Sequence, residues 1–333
     1  MFSAFPMDIT TLHNLTRKQR HKAFRPGTVS NHKSQFLLYI RFCQHYRLQD
    51  IDPTNDTVCM YATYLSKRFV SPQSVCNYMS AVRLLHKYLA IPAPALDSFD
   101  LKLTIRAIKL SMRHTPSQRR PLTVDMLRAM CTICDGLPAS IGKMLKVALL
   151  FGFCGFLRQS NLAPRQAKQF DPTRHTCRGD VLIQPPGIVV IIKWTKTQQT
   201  TDKLTLLPIP AIPGSPLDPV VAYNEMIAAV PTRSDNDPLL LLPPTSRKRI
   251  VTTSLLQSCF RQLVAGVGGD PACFSLHSLR RGGATLAHHR GAHFLDIQRH
   301  GTWRSQAFLD YITTHGPADS PIPQVLATAL LHS

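Results

Sequence analysis

Apolar positions recur at helical spacing over most of the chain and switch to alternation in one central stretch. Val29, Phe36, Leu37, Ile40 and Cys43 fall on one helical stripe. Asp52-Pro53 reads as an N-cap followed by proline at the first helical position, opening a helix through Val58, Tyr61 and Leu65. Ser71-Pro72 repeats the signal and opens a helix carrying Val75, Met79, Val82, Leu85 and Leu89, which Ile91-Pro92-Ala93-Pro94 stops. A fourth helix carries Leu101, Ile105 and Ile108. These elements predict a helical domain over residues 25–113, preceded by a basic flexible arm over 1–24 with little periodicity. His114-Thr115-Pro116-Ser117-Gln118-Arg119-Arg120-Pro121 breaks all periodicity and reads as a linker.

Residues 122–333 form the second expected domain. Thr123 caps a helix through Met126, Leu127 and Met130, and a more apolar helix runs from Ser140 through Met144, Val147, Leu150 and Phe151. Period two then takes over: Val181–Ile183, Gly187–Trp194 and Leu204–Ile209 predict a three-stranded meander. Asp218-Pro219 opens a helix to Val230, and residues 237–243 are extended or a buried connector. Thr252 or Thr253 caps a helix with Leu255, Leu256, Phe260, Leu263 and Val264 that ends at Gly266. Residues 324–332 are a last apolar segment, a tail helix that covers the parent core or docks on another subunit. The fold class is mainly α with a small antiparallel β-meander: a helical N-terminal domain and a mixed α+β C-terminal domain.

Charge sharpens this picture. Lys and Arg number 39 against 19 Asp and Glu, for a net charge of +20. An excess of this size points to a polyanion, most often nucleic acid, with an anionic membrane surface or a merely basic protein as alternatives. The basic positions Lys67, Arg68, Arg83, Lys87, Arg106 and Lys109, with Lys102 and Arg113, fall on outward helix faces. Together with Arg119 and Arg120 of the linker they are the expected DNA-binding residues; any single one reads first as a solvated side chain, and it is the set as a whole that favours DNA. No apolar run of about 18 residues occurs, so no membrane span is expected, and the first residues lack the order of a signal peptide. Nine scattered cysteines suit a reducing compartment. Cys131-x-x-Cys134 is a metal-like pair without a second pair at zinc spacing, and no metal is expected there. His288, His289, His293 and His300 are too irregularly spaced for a metal site and are expected to face solvent or DNA.

The candidate chemistry lies in residues 275–313. His277 and Arg280 share a helix face at i, i+3 and can hold a tetrahedral phosphate. Trp303 follows a Gly-Thr turn, and Tyr311 lies eight positions further on, where its phenol could attack that phosphate. Arg158 directly follows an apolar run, so its guanidinium needs an anionic partner, either a distant carboxylate or a ligand phosphate. Lys196 sits between the second and third strands, a solvated turn residue or a mobile proton donor.

Arg158, Lys196, His277, Arg280, Trp303 and Tyr311, in that order and in a helix–meander–helix context, resemble the tyrosine recombinase (phage integrase) family over about residues 25–315. The matching pieces are Phe156-Leu157-Arg158-Gln159-Ser160-Asn161-Leu162, Trp194-Thr195-Lys196-Thr197, His277-x-x-Arg280, Gly301-x-Trp303 and Phe308-Leu309-Asp310-Tyr311-Ile312. Arg280-Arg281-Gly282-Gly283-Ala284-Thr285 and the Trp303–Phe308 stretch look most like recombinases of eukaryotic mobile elements, such as tyrosine-recombinase retrotransposons or cryptons. The resemblance implies a DNA strand-cleaving and rejoining enzyme that works through a 3′-phosphotyrosine, without metal or high-energy cofactor, as a homotetramer on synapsed DNA. It implies Tyr311 as nucleophile, Arg158 and Arg280 on the nonbridging oxygens, Lys196 as general acid, His277 in proton transfer and Trp303 as an indole donor. A nuclear location follows if the host is eukaryotic, and otherwise the nucleoid. Three departures stand out: an eight-residue gap to the tyrosine where bacterial members usually have nine, Asn161 where many have a carboxylate, and Arg281-Gly282 in place of His-Thr. A type IB topoisomerase shares this chemistry, and a domesticated DNA-binding protein without catalysis would keep the fold.

Overall fold

The computed structural model describes residues 7–24, 26–112, 119–194, 204–247 and 249–312. Lys196, Arg113 and the 324–332 segment lie outside them. The chain divides into two compact units, Met1–Pro116 and Ser117–Ser333.

The first unit is helical: α1 (Ile9–Lys22), α2 (Pro26–Tyr46), α3 (Asn55–Arg68), α4 (Pro72–Leu89) and α5 (Phe99–Ser111). Residues 9–22 are thus a helix, not the irregular arm that their weak periodicity suggests. Asp8 caps it by accepting from the Thr11 N–H. Helix α3 starts two residues later than Asp52-Pro53 implies, because Thr54 is the cap and accepts from the Thr57 N–H. Ser71-Pro72 caps and opens α4 as expected. The core joins Tyr39, Phe42 and Cys43 of α2 to Val58, Tyr61 and Leu65 of α3, Val75, Met79 and Val82 of α4, and Leu101 and Ile108 of α5. The buried stripe of α2 is therefore displaced from the expected one, and Val29 and Leu37 are exposed. Aromatic rings decide this: Tyr39 and Phe42 each meet Tyr61, with ring centroids 5.1 and 5.0 Å apart, and burying such large faces outweighs burying a valine.

The second unit is built around α7 (Ala139–Cys154), buried from Met144 to Phe153. Helices α6 (Val124–Asp135), α9 (Pro219–Ala229) and α11 (His277–His289) pack on it. A four-residue helix, α8 (Gln159–Leu162), comes after it in the chain, and α10 (Thr253–Gly266) packs on α6. The antiparallel sheet has the order β1 (Val181–Gln184), β2 (Gly187–Ile192), β3 (Thr205–Pro210), with Val190 opposite both Val181 and Leu207. Ile188, Val190, Leu207 and Ile209 join the core. Thr123, Asp218 and Thr252 cap their helices as their sequence context predicts. Leu239–Leu241 are buried, so the apolar 237–243 stretch is a core connector. Arg119 and Arg120, expected in a free linker, are fastened to this unit: Arg119 donates to the Ala272 carbonyl and the Arg120 N–H to that of Cys273. Among the described residues no helix is long and apolar enough to cross a membrane.

Close approach shapes the ground beneath α11. A Cβ on Gly282 would strike the Leu122 carbonyl oxygen, and one on Gly283 that of Phe153. Small residues there let α11 come down onto the end of α7. A small satellite core of Phe156, Ala284, Ile297, Phe308 and Ile312 then ties α11 to α12 (Phe294–His300) and to the 3₁₀ helix Gln306–Tyr311.

Candidate active site

The site forms where the exit of α7, the first turn of α11, the turn after α12 and the 3₁₀ helix meet. Beyond Cys154 the chain turns through Phe156, whose φ is +45°, and delivers Arg158 to the N-cap of α8. The Arg158 N–H donates to Asn161 Oδ1 at 3.2 Å, and Asn161 Nδ2 donates to the Trp194 carbonyl at 3.4 Å. The buried amide therefore links the arginine turn to the residues just beyond β2. A carboxylate at this position could accept but not donate. The Arg158 guanidinium reaches Thr302, with Nη1 2.8 Å from Oγ1 and Nη2 3.4 Å from the carbonyl oxygen.

Arg280 comes from the first turn of α11 and is 2% exposed. It donates to the carbonyl oxygens of Phe156 and Gly301, while its Nε has no hydrogen-bond partner among the described residues. Its guanidinium lies 3.8 Å from the centre of the Trp303 ring and 5.5 Å from that of Tyr311. The two arginines thus hold adjacent residues, Gly301 and Thr302. Among the described residues neither forms an ion pair with a carboxylate. Burial, followed by the charge of Arg158, pushes the Arg280 pKa down to about 9. Burial lowers that of Arg158 as well, with Tyr311 opposing the shift. Two charged groups held together with no carboxylate partner among the described residues make a site for an anion with several oxygens.

His277 opens α11, with its ring 4.7 Å from that of Tyr311 at 63°. The residue is exposed, yet protein atoms crowd the imidazole. That desolvation, with the charges of Arg280, Arg281 and Arg158, brings its pKa down to about 4. The ring is therefore neutral near pH 7. Tyr311 ends the 3₁₀ helix, partly exposed, with its ring 5.1 Å from Trp303 and its carbonyl accepting from Thr285 Oγ1 at 3.3 Å. Trp303 Nε1 is buried and has no hydrogen-bond partner among the described residues. A Cβ on Gly301 would fall inside the Trp303 ring, so only glycine lets that indole fold back over Arg280.

Five of the six candidates, Arg158, His277, Arg280, Trp303 and Tyr311, share this cluster, and Lys196 lies outside the described residues. Phe156, Gly301 and Thr302 are further members that motif spelling passes over. Gly-Thr before an indole hints at a turn but not at what the turn holds, and nothing marks Phe156. Tyr223 is 4% exposed and donates to the Arg178 carbonyl within the core, away from this cluster. Cys131 and Cys134 are buried, and desolvation pushes both thiols up to about 12. Among the described residues no group of three His, Cys, Asp or Glu is placed to hold a metal ion. Of the histidine patch, His300 does not face solvent: its ring packs on Phe156 and its Nε2 meets the Cys154 carbonyl at 2.9 Å. His293 caps α12, and His288 stacks on Phe294.

In the first unit Lys67, Arg68, Lys87, Arg106 and Lys109 are exposed. Arg83 differs, because it pairs with Asp97 at 3.2 Å and donates to the Leu96 carbonyl. Its charge is therefore partly neutralised within the protein.

No protein-family profile matches the chain. The integrase/recombinase xerD homolog of Selenomonas ruminantium is 21% identical over 297 residues, covering 87% of this chain and 82% of that protein. The Tn1549 transposon integrase (residues 82–397), solved with circular intermediate DNA, superposes with a TM-score of 0.57 at 15% identity over 93% of this chain and 97% of its own. A lambda integrase tetramer bound to a Holliday junction gives a TM-score of 0.56 at 15% identity over 91% and 83%. At these identities the likeness establishes the fold: this chain shares the architecture of the two integrases.

Proposed function

We propose that this protein is a site-specific DNA recombinase that cleaves and rejoins strands through a 3′-phosphotyrosine. One observation carries the reading: Arg280 lies against the rings of Trp303 and Tyr311, Arg158 is held beside it on Thr302, and among the described residues neither guanidinium has a carboxylate partner. Similarity to an integrase/recombinase and to integrases solved on DNA supports it.

In this mechanism Tyr311 Oη attacks the scissile phosphorus while the bond to the 5′ oxygen breaks, so the phosphodiester energy is kept in the new ester. Arg158 and Arg280 take the nonbridging oxygens as negative charge builds on the phosphorane, where charge fixed in advance lowers the barrier most. The Trp303 N–H supplies a further donor. His277, neutral near pH 7, accepts the phenolic proton, and Lys196 protonates the leaving 5′ oxygen. Exposed Lys67, Arg68, Lys87, Arg106 and Lys109 hold the DNA backbone, and four copies act on two synapsed duplexes. The spelling from Arg280 to Thr285 favours a mobile-element enzyme, acting in the nucleus of a eukaryotic host.

The test begins with duplexes selected by the wild-type protein from a random pool, each then nicked near the bound site so that the cleaved end diffuses away. Wild type accumulates a protein–DNA adduct that survives denaturation. Tyr311→Phe binds the same duplexes and forms none. An adduct that persists in Tyr311→Phe refutes this nucleophile, and absence of any wild-type adduct refutes the enzyme.

A further inference from the structure

The peptide at Gly301-Thr302 is unusual in two respects. Thr302 has φ of +56°, a left-handed conformation that a β-branched residue adopts only under constraint. If the chain needed nothing but a turn here, glycine would make it at no steric cost. What threonine adds is the hydroxyl, and that hydroxyl is 2.8 Å from Arg158 Nη1. The Thr302 carbonyl receives Nη2 of the same guanidinium at 3.4 Å. One residue away, the Gly301 carbonyl receives Arg280. A carboxylate would grip Arg158 more firmly but would also cancel its charge. A hydroxyl and a carbonyl orient it and leave the charge whole for a phosphate.

We propose that Thr302 is a positioning residue: its hydroxyl holds the Arg158 guanidinium at the scissile phosphate, and its strained backbone is kept for that purpose. The inference rests on the recombinase reading above. It predicts that the hydroxyl matters to the rate of phosphoryl transfer and not to DNA affinity. Its loss misplaces a charge that acts on the nonbridging oxygens, and misplacement by about 1 Å costs on the order of a hundredfold in rate.

The experiment uses the full chain, the selected nicked duplexes and three variants. Thr302→Val keeps the side-chain shape and removes the hydroxyl. It should bind duplex like wild type while adduct formation slows on the order of a hundredfold. Thr302→Ser should restore most of the rate. Thr302→Gly relieves the backbone, so it should slow adduct formation as Val does while melting no lower than wild type; a purely structural threonine would lose both together. With a neutral methylphosphonate at the scissile position the guanidinium has less charge to meet, so the gap between wild type and Thr302→Val should shrink. Wild-type adduct with equal rates in wild type and Thr302→Val overturns this inference alone, as does slowing matched by equal loss of duplex binding. A wild type that forms no adduct on any selected duplex overturns the recombinase reading and this inference with it.

Discussion

Lowering the pH tests the electrostatics of the site without DNA. His277 titrates near 4 in the folded protein because desolvation and three nearby arginines oppose its charge, against an ordinary value of 6.5. The folded state therefore binds fewer protons than the unfolded state between these values. Stability is complete above about pH 6.5 and is lost as the pH falls toward about 4. At pH 5 an unfolded histidine is nearly all protonated and His277 about one-tenth so, a difference of about 2 kcal/mol. The residue is partly solvated, and screening reduces this to about 1 kcal/mol. For a unit of this size that corresponds to about 2–4 °C in melting temperature. The assay is thermal unfolding of wild type and His277→Gln at pH 7.5 and 5.0 in low salt, reading the transition of the second unit. Subtracting the variant removes the other histidines, so wild type should lose about 2–4 °C more than His277→Gln on acidification. Sulfate, dianionic across this range, should narrow the difference by meeting the guanidiniums that oppose His277. Equal pH slopes in the two proteins would refute the reasoning, and a steeper slope in His277→Gln would reverse its sign.

Three further variants have defined outcomes. Gly301→Ala puts a methyl where the Trp303 ring lies, so the indole must leave its place over Arg280; we expect a stability loss of about 1–3 kcal/mol by chemical denaturation and loss of the DNA adduct, and an unshifted denaturation midpoint with normal adduct would refute that packing. Lys87→Ala should leave stability within about 0.5 kcal/mol and lower the slope of log affinity against log salt by about 0.9. Arg83→Ala should instead cost about 1 kcal/mol of stability, because it releases Asp97 and the Leu96 carbonyl; identical behaviour of the two variants would show that the Asp97 pair is not formed in solution.

Helices and strands were legible where one local signal dominated. Ser71-Pro72, Asp218-Pro219 and Thr123 each combine a capping oxygen with a suitable first turn, and each starts its helix as expected. Asp52-Pro53 carries the same two residue types, but Thr54 offers a competing cap, and its hydroxyl also meets that of Thr57 at 3.0 Å. The choice between two adjacent caps depends on the neighbours the new helix packs against in space, which a local pattern does not contain. The α2 stripe failed for a similar reason. Spacing treats Val29 and Tyr39 as equal candidates for burial, whereas Tyr61 on another helix selects the ring.

The site was legible in its residue types and silent in its supports. Arg158, His277, Arg280, Trp303 and Tyr311 are chemically conspicuous, and their order was enough to expect that they meet. Phe156 and Thr302 are not conspicuous, yet among the described residues of the second unit they are the non-glycine positions with positive φ, and their oxygens receive the two arginines. Both facts have one cause. Burial first, and then the charge of Arg158, lower the pKa of Arg280, so two guanidiniums are held together against their repulsion. Carboxylates would relieve the repulsion and destroy the anion site, so neutral oxygens must do the holding. Backbone carbonyls and one hydroxyl can be aimed inward from opposite sides only if the chain turns sharply at both places, and the strain at those turns is the cost of keeping the positive charge available.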